Sequence, residues 1–232
     1  MKDKKPPVQI TMDGPYRVST EVPLSQAIIR RDDKRVAASW EQGRDYDTGE
    51  LGVYYLCRCG RSKNKPFCDG HHETTGFVGD EKPENAPYRE RATRDQGTVL
   101  DLLDDPSICA GAGFCELNGT VWRDIHECEN SAVKERVVDQ IARCPSGRLS
   151  AMAKDDHLVE AEFSQEIKLV EDPDYECRGP LWVSGCMEVE DHKGRPFECR
   201  NRVTLCRCGE SRNKPFCDSS HYDSDNMKGV DE

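Results

Sequence analysis

The chain has 232 residues, and its 33 basic against 44 acidic side chains leave a net charge of −11, which excludes the broad basic footprint that nucleic-acid phosphates require. Hydrophobic residues make up 35%, charged residues 33%, and the mean hydropathy is −0.81, so apolar burial is limited and bound cofactors are expected as staples. No apolar run approaches the roughly 18 residues of a membrane span, and thirteen cysteines behind a start without an apolar signal core, Met1-Lys2-Asp3-Lys4-Lys5-Pro6-Pro7, read as reduced thiols of a soluble, cytoplasmic protein.

Residues 1–7 read as a frayed start. Val8, Ile10 and Met12 then alternate, Asp13-Gly14-Pro15 turns the chain, and Tyr16 and Val18 resume the alternation, which predicts a short antiparallel hairpin. Next comes the stretch that the chain carries twice. Twelve of fourteen positions are identical between Leu56–Asp69 and Leu205–Asp218. Each copy orders its potential ligands as Cys-x-Cys, eight residues, Cys, three residues, His: Cys57, Cys59, Cys68 and His72, then Cys206, Cys208, Cys217 and His221. The preludes correspond as well, since Ile167, Leu169 and the run Gly179-Pro180-Leu181-Trp182-Val183 precede Cys206. The proline-to-cysteine span is 42 positions in the first copy and 26 in the second. The polar stretches Arg30–Lys34 and Asp45–Gly49 are the candidates for the extra sixteen residues.

Between the copies, Glu73 to Gln96 reads as a linker rich in Gly, Pro, Glu and Arg. A separate unit follows, with Cys109, Cys115 six positions later, and Cys144-Pro145 after a helical pattern. Val133, Val137 and Ile141 recur on one face of Ser131–Arg143, with Asn130 or Ser131 as cap. Cys177, Cys186 and Cys199 belong to no motif and are expected as small reduced core residues. Trp40, Trp122 and Trp182 read as core anchors. The tail after His221 is polar and expected to fray.

Three thiolates and one imidazole suit either zinc or an iron–sulfur cluster, but a first pair separated by one residue departs from the usual chelating pairs of zinc sites. The run Cys57-x-Cys59-x2-Ser62-x3-Pro66-x-Cys68-Asp69-Gly70-His71-His72 resembles the CDGSH iron–sulfur family of the mitoNEET type, and Cys206 to His221 matches the same pattern. Two departures are His71 in place of Ser and Ser219 in place of Gly. The resemblance implies one [2Fe–2S] cluster on Cys57, Cys59, Cys68 and His72 and a second on Cys206, Cys208, Cys217 and His221. Around them, Asp69 and Asp218 are expected to cap the turns presenting the histidines, Ser62 and Ser211 to donate to cluster sulfur, and Arg58, Arg61, Lys63, Lys65, Arg207, Arg212 and Lys214 to raise the potential and steer an acidic partner.

The middle unit resembles a divergent single-cluster ferredoxin, but the position midway between Cys109 and Cys115 holds Ala112. Three thiolates, Cys109, Cys115 and Cys144, favour a [3Fe–4S] cluster, or a [4Fe–4S] cluster with an outside fourth ligand for which Cys128 and His126 are nearest in sequence. The expected fold is α+β: a first CDGSH module over 1–80, a linker over 81–97, a ferredoxin-like insert over 98–153 and a second CDGSH module over 160–223. The two modules form a pseudo-two-fold pair, a monomer imitating a dimer. The expected role is electron transfer to a redox partner protein without independent catalysis, against cluster storage, transfer to an acceptor or redox sensing, and against a zinc-stapled interaction module. Neither nucleic acid nor membrane is an expected partner.

Overall fold

The computed structural model describes residues 7–80 and 86–230, so nearly all of the expected frayed start, and residues 81–85 of the expected linker, lie outside the described residues. The first hairpin forms as the alternation requires. Strand β1 (Val8–Ile10) pairs antiparallel with β2 (Tyr16–Ser19), Val8 opposite Val18 and Ile10 opposite Tyr16, and these four side chains have no exposed surface. Met12 departs from the pattern and is 74% exposed, because the chain has already turned there, with Thr11 Oγ1 donating to the Pro15 carbonyl at 2.7 Å.

A second, longer hairpin of β3 (Leu24–Arg31) and β4 (Ala37–Asp45) precedes β5 (Val53–Leu56), which returns to pair with β2. The turn of this hairpin is held by Asp32, whose Oδ1 accepts from the Lys34 and Val36 amides at 2.9 Å each. The insert contains α1 (Tyr88–Arg91), β6 (Thr93–Gln96), β7 (Leu100–Asp104), α2 (Val121–Asp124), α3 (Ser131–Ala142), β8 (Leu149–Ala153) and β9 (Leu158–Val159). Residues 88–96, read from composition as linker, instead form α1 and an edge strand of the sheet β6-β7-β8-β9. Helix α3 starts where Asn130 Oδ1 accepts from the Ala132 and Val133 amides. Its Val137 and Ile141 are buried against Leu100, Leu102 and Ala151.

The second module brings β10 (Glu166–Asp172), β11 (Cys177–Ser184), β12 (Val189–Glu190) and β13 (Arg202–Leu205). The two modules exchange strands. The sheet β12-β1-β2-β5 takes β12 from the second module, parallel to β1, and the sheet β13-β11-β10-β3-β4 takes β3 and β4 from the first, with β3 parallel to β10. The swapped elements correspond: β12 ends in a turn held by Asp191, whose Oδ1 accepts from the Lys193 and Arg195 amides at 2.8 Å each, as Asp32 holds the β3–β4 turn. The sixteen extra residues of the first copy therefore lengthen this hairpin on both sides of its turn.

One apolar core joins the modules, with Val8, Ile10, Tyr16 and Val18 packed together with Ile167, Leu169, Leu181 and Val183. Each such aliphatic side chain contributes on the order of 1.5–3 kcal/mol when fully buried, so neither half keeps its core if separated. The fold is α+β, a pseudo-two-fold pair of β-rich modules carrying the insert. The tail is docked rather than frayed: Met227 is fully buried, and the Arg178 guanidinium donates to the Lys228 and Val230 carbonyls. Cys177 is buried as expected, but Cys186 and Cys199 are exposed and joined by a disulfide with Cα atoms 5.2 Å apart. Their place beside the ends of β11 and β13 keeps them out of the core.

Candidate metal centres

Each repeated loop is folded back on the strand that delivers it. Cys57 follows β5, its amide donates to the Pro66 carbonyl at 2.8 Å, and the Cys68 amide donates to Tyr55 at 2.8 Å. The second loop repeats this with Cys206 to Pro215 and Cys217 to Thr204. Lys65 and Lys214 brace the turns by donating to the Ser62 and Ser211 carbonyls at 2.9 and 2.7 Å. Asp69 accepts from the Lys63 and His71 amides, and Asp218 from the Arg212 and Ser220 amides, tying the loop to the short 3-10 turn that carries each histidine. Gly70 and Ser219 enter that turn at φ of 88° and 69°, so Ser219 adopts the left-handed conformation that the other copy gives to glycine.

The expected ligands come together in pairs. Cys57 and Cys59 sulfurs lie 3.8 Å apart and Cys68 Sγ is 3.4 Å from His72 Nδ1. In the second loop, Cys206 and Cys208 sulfurs are 3.4 Å apart and Cys217 Sγ is 3.4 Å from His221 Nδ1. Two thiolates on one tetrahedral metal, with bonds of about 2.3 Å, sit about 3.8 Å apart, and a thiolate and an imidazole about 3.5 Å. The separations within each pair are thus those of two ligands sharing one metal. Within each Cys-x-Cys pair the two thiols share a proton unequally: the Cys59 thiol and the Ser62 and Gly60 amides hold the Cys57 thiol down at about 6 while Cys59 is pushed up, and Cys208 and Cys206 repeat this. Burial holds the His221 imidazole down at about 3 and therefore neutral.

Two expectations about the surroundings are corrected. Ser62 and Ser211 hydroxyls donate to the Phe67 and Phe216 carbonyls at 2.6 and 2.7 Å rather than to sulfur. The Ser62 amide is the group that reaches Cys57. Arg58 and Arg207 are buried, not steering charges on the surface: Arg58 donates to the Thr11 and Gly79 carbonyls, and Arg207 to Gly179, Val170 and the Glu171 carboxylate. Their placement between the two ligands of each Cys-x-Cys pair anchors that pair to the core.

The two loops meet back to back. A methyl group on Gly60 would fall 2.4 Å from the Cys208 carbonyl oxygen, and one on Gly209 would fall 2.6 Å from that of Cys59. The surroundings of the two sites differ. Cys217 and His221 are 2% and 3% exposed, whereas Cys68 and His72 are only half-buried. Tyr222 causes much of the difference: its ring lies 4.4 Å from that of His221, and its hydroxyl donates to Asp172 at 2.8 Å and reaches the Gly111 carbonyl of the insert at 3.3 Å. The first copy has the exposed Glu73 in that place.

In the insert, Cys109, Cys115 and Cys144 line one small cavity with Ala112. Burial, reinforced by Cys144 and Cys109, pushes the Cys115 thiol up to about 12. Cys128 and His126 do not line this cavity. The Cys128 thiol is buried in the core of the insert and faces the Asp124 carbonyl, and His126 pairs with Asp95. Sequence gave no sign of Arg148, whose Nη1 donates to Cys109 Sγ at 3.3 Å while Asp104 grips the same guanidinium at 2.7 and 3.0 Å. The insert loop seats on the second site, since a methyl on Gly111 would touch Tyr222 at 2.6 Å and Ser219 at 3.3 Å.

Two soft-ligand loops and a three-thiolate cavity on one α+β frame define a metal-cluster protein. Family comparison gives the class: residues 13–73 and 178–222 match the iron-binding zinc finger of CDGSH type, and residues 96–154 match the divergent 4Fe-4S mono-cluster family. The chain therefore carries two CDGSH-type iron-binding regions, with a divergent ferredoxin-like 4Fe-4S region between them. Comparison with curated proteins and with solved structures finds no match. Among the described residues no helix is long and apolar enough to cross a membrane.

Proposed function

We propose that this iron–sulfur protein is a one-electron carrier without independent catalysis, with [2Fe–2S] clusters on Cys57, Cys59, Cys68 and His72 and on Cys206, Cys208, Cys217 and His221, and a third cluster on Cys109, Cys115 and Cys144. The observation that carries this reading is contiguity. The first loop abuts the second at Gly60 and Gly209, and the insert loop abuts the second at Tyr222 and Ser219. Bound iron–sulfur clusters supply reversible one-electron chemistry. The chain holds the donor atoms, shields the second site from water and places a guanidinium on Cys109. Electron paramagnetic resonance of the reduced protein tests it: neighbouring centres relax and split one another's signals, and three magnetically isolated centres would refute the relay.

Ala112 favours a three-iron middle cluster, because the residues lining its cavity contribute three thiolates and a methyl where a fourth ligand would stand. Ala112→Cys is expected to convert the resonance of an oxidised [3Fe–4S] centre to that of a reduced [4Fe–4S] centre and to add one iron per chain. An unchanged iron count, with a four-iron signal already in the parent, would show that the fourth ligand comes from elsewhere.

Exposure at the first site supports a second reading, release of that cluster to an acceptor. With an iron chelator, visible absorbance is expected to fall in two phases, and His72→Cys to slow the fast phase alone. A single phase, or slowing by His221→Cys instead, would remove the distinction between the sites.

A further inference from the structure

A cleft of about 800 Å³ opens where the three parts of the chain meet, between the β3–β4 turn, the insert loop and the His221 turn. Cys109 and Cys115 lie on its wall, so the middle site faces solvent here while the second site is sealed beneath Tyr222. Its charged lining is opposite in sign to the chain as a whole. Arg31, Lys34, Arg35 and Arg148 line it against one carboxylate, Glu116.

The partners of these cations decide what is left over. Arg31 is paired with the buried Asp172 at 2.5 Å, and Arg148 with Asp104. Arg35 meets no carboxylate among the described residues: it donates to the Asp174 carbonyl at 2.6 Å and lies 4.4 Å over the Tyr175 ring. Lys34 is exposed and has no ion pair among the described residues. Of the acids beside them in the turn, Asp32 turns its carboxylate to backbone amides, and Asp33 does not line the cleft. Arg31 also stacks on Tyr175, at 4.5 Å, and that ring is 47% exposed. Arginine, tyrosine and tryptophan, here with Trp122 on the wall, are the side chains that dominate protein–protein hot spots.

We infer that this cleft is the docking site for an acidic one-electron carrier protein, which exchanges its electron with the middle site. The inference rests on the electron-carrier reading above. The step moves one electron from the reduced carrier to the oxidised chain, with no bond made or broken. Local positive potential in a chain of net charge −11 would orient an acidic partner toward this face, because an oppositely charged cleft raises association rates steeply at low salt.

A reduced, acidic plant-type [2Fe–2S] ferredoxin serves as the probe, mixed with the oxidised chain in a stopped-flow instrument. The rate of electron uptake is expected to fall steeply as salt is raised. Lys34→Glu and Arg35→Gln are each expected to lower the low-salt rate severalfold and to flatten its salt dependence, with the cluster resonance signals and the rate of reduction by dithionite unchanged. Lys193→Glu, on the exposed turn after β12, is expected to leave the ferredoxin rate alone. Full-speed, salt-insensitive uptake by Lys34→Glu would overturn the docking site, as would slowing by Lys193→Glu in its place. If dithionite reduces the clusters but the ferredoxin never does, at any salt, the electron-carrier reading itself falls.

Discussion

Gly209→Ala is expected to cost the chain both CDGSH clusters, although it alters only one loop. Gly209 has φ of +83°, where an L side chain costs on the order of 1 kcal/mol. The larger effect is contact. The new methyl would fall 2.6 Å from the carbonyl oxygen and 3.0 Å from the carbonyl carbon of Cys59, in the other loop. These are backbone atoms between two ligands of the first site, and they cannot swing aside as a side-chain tip would. Gly60→Ala makes the reciprocal clash, at 2.4 Å from the Cys208 oxygen. Gly70→Ala separates the two causes, because Gly70 has φ of +88° with nothing within 4 Å of its added methyl. Iron and acid-labile sulfide per chain are expected to drop by two clusters in Gly209→Ala and to stay at the parent value in Gly70→Ala. Loss of one cluster, or equal behaviour of the two variants, would mean that the loops do not brace one another.

Local features of this fold were legible in the sequence because they depend on neighbours along the chain. The alternation of Val8, Ile10, Tyr16 and Val18 gave the first hairpin, and the spacing of Val133, Val137 and Ile141 gave α3 with its Asn130 cap. The repeat predicted a paired architecture, and the position of Arg58 and Arg207 inside each Cys-x-Cys pair was itself a signal of structural use that reading them as surface charge missed. The strand exchange was not legible: β3 beside β10 and β1 beside β12 are contacts between residues more than a hundred positions apart, and no period in the sequence records them. Nor was the difference between the two sites, since it follows from one substitution, Tyr222 where the first copy has Glu73, read together with the insert that Tyr222 touches. Arg148 lies 39 positions from Cys109 and belongs to no pattern. The cysteines show the same limit, for composition put Cys186 and Cys199 with Cys177, and only the chain path shows that those two are exposed.

Glu171→Ala is expected to be the most destabilising single change in the second module. Arg207 and Glu171 are 4% and 2% exposed, with Nη2 and Oε1 2.5 Å apart. The Gly179 carbonyl at 2.6 Å and the Val170 carbonyl at 3.1 Å also accept from Arg207. Removing the carboxylate takes this ion-pair partner from a buried guanidinium, and breaking one side of such a pair costs about 3–5 kcal/mol. For a chain of this size that lowers Tm by on the order of 10 °C. Because Arg207 stands between Cys206 and Cys208, the loss is expected to reach the second cluster, seen as faster decay of its absorbance. The double variant Glu171→Met with Arg207→Met keeps the volume without the charge, and it is expected to recover most of the stability, since an apolar pair avoids the desolvation that the ion pair must offset. Urea unfolding of the cluster-loaded protein measures all three. A cost below about 1 kcal/mol for Glu171→Ala would mark the pair as solvent-relieved, and a double variant no better than the single one would show that Arg207 anchors the loop through its carbonyl bonds rather than through its charge partner.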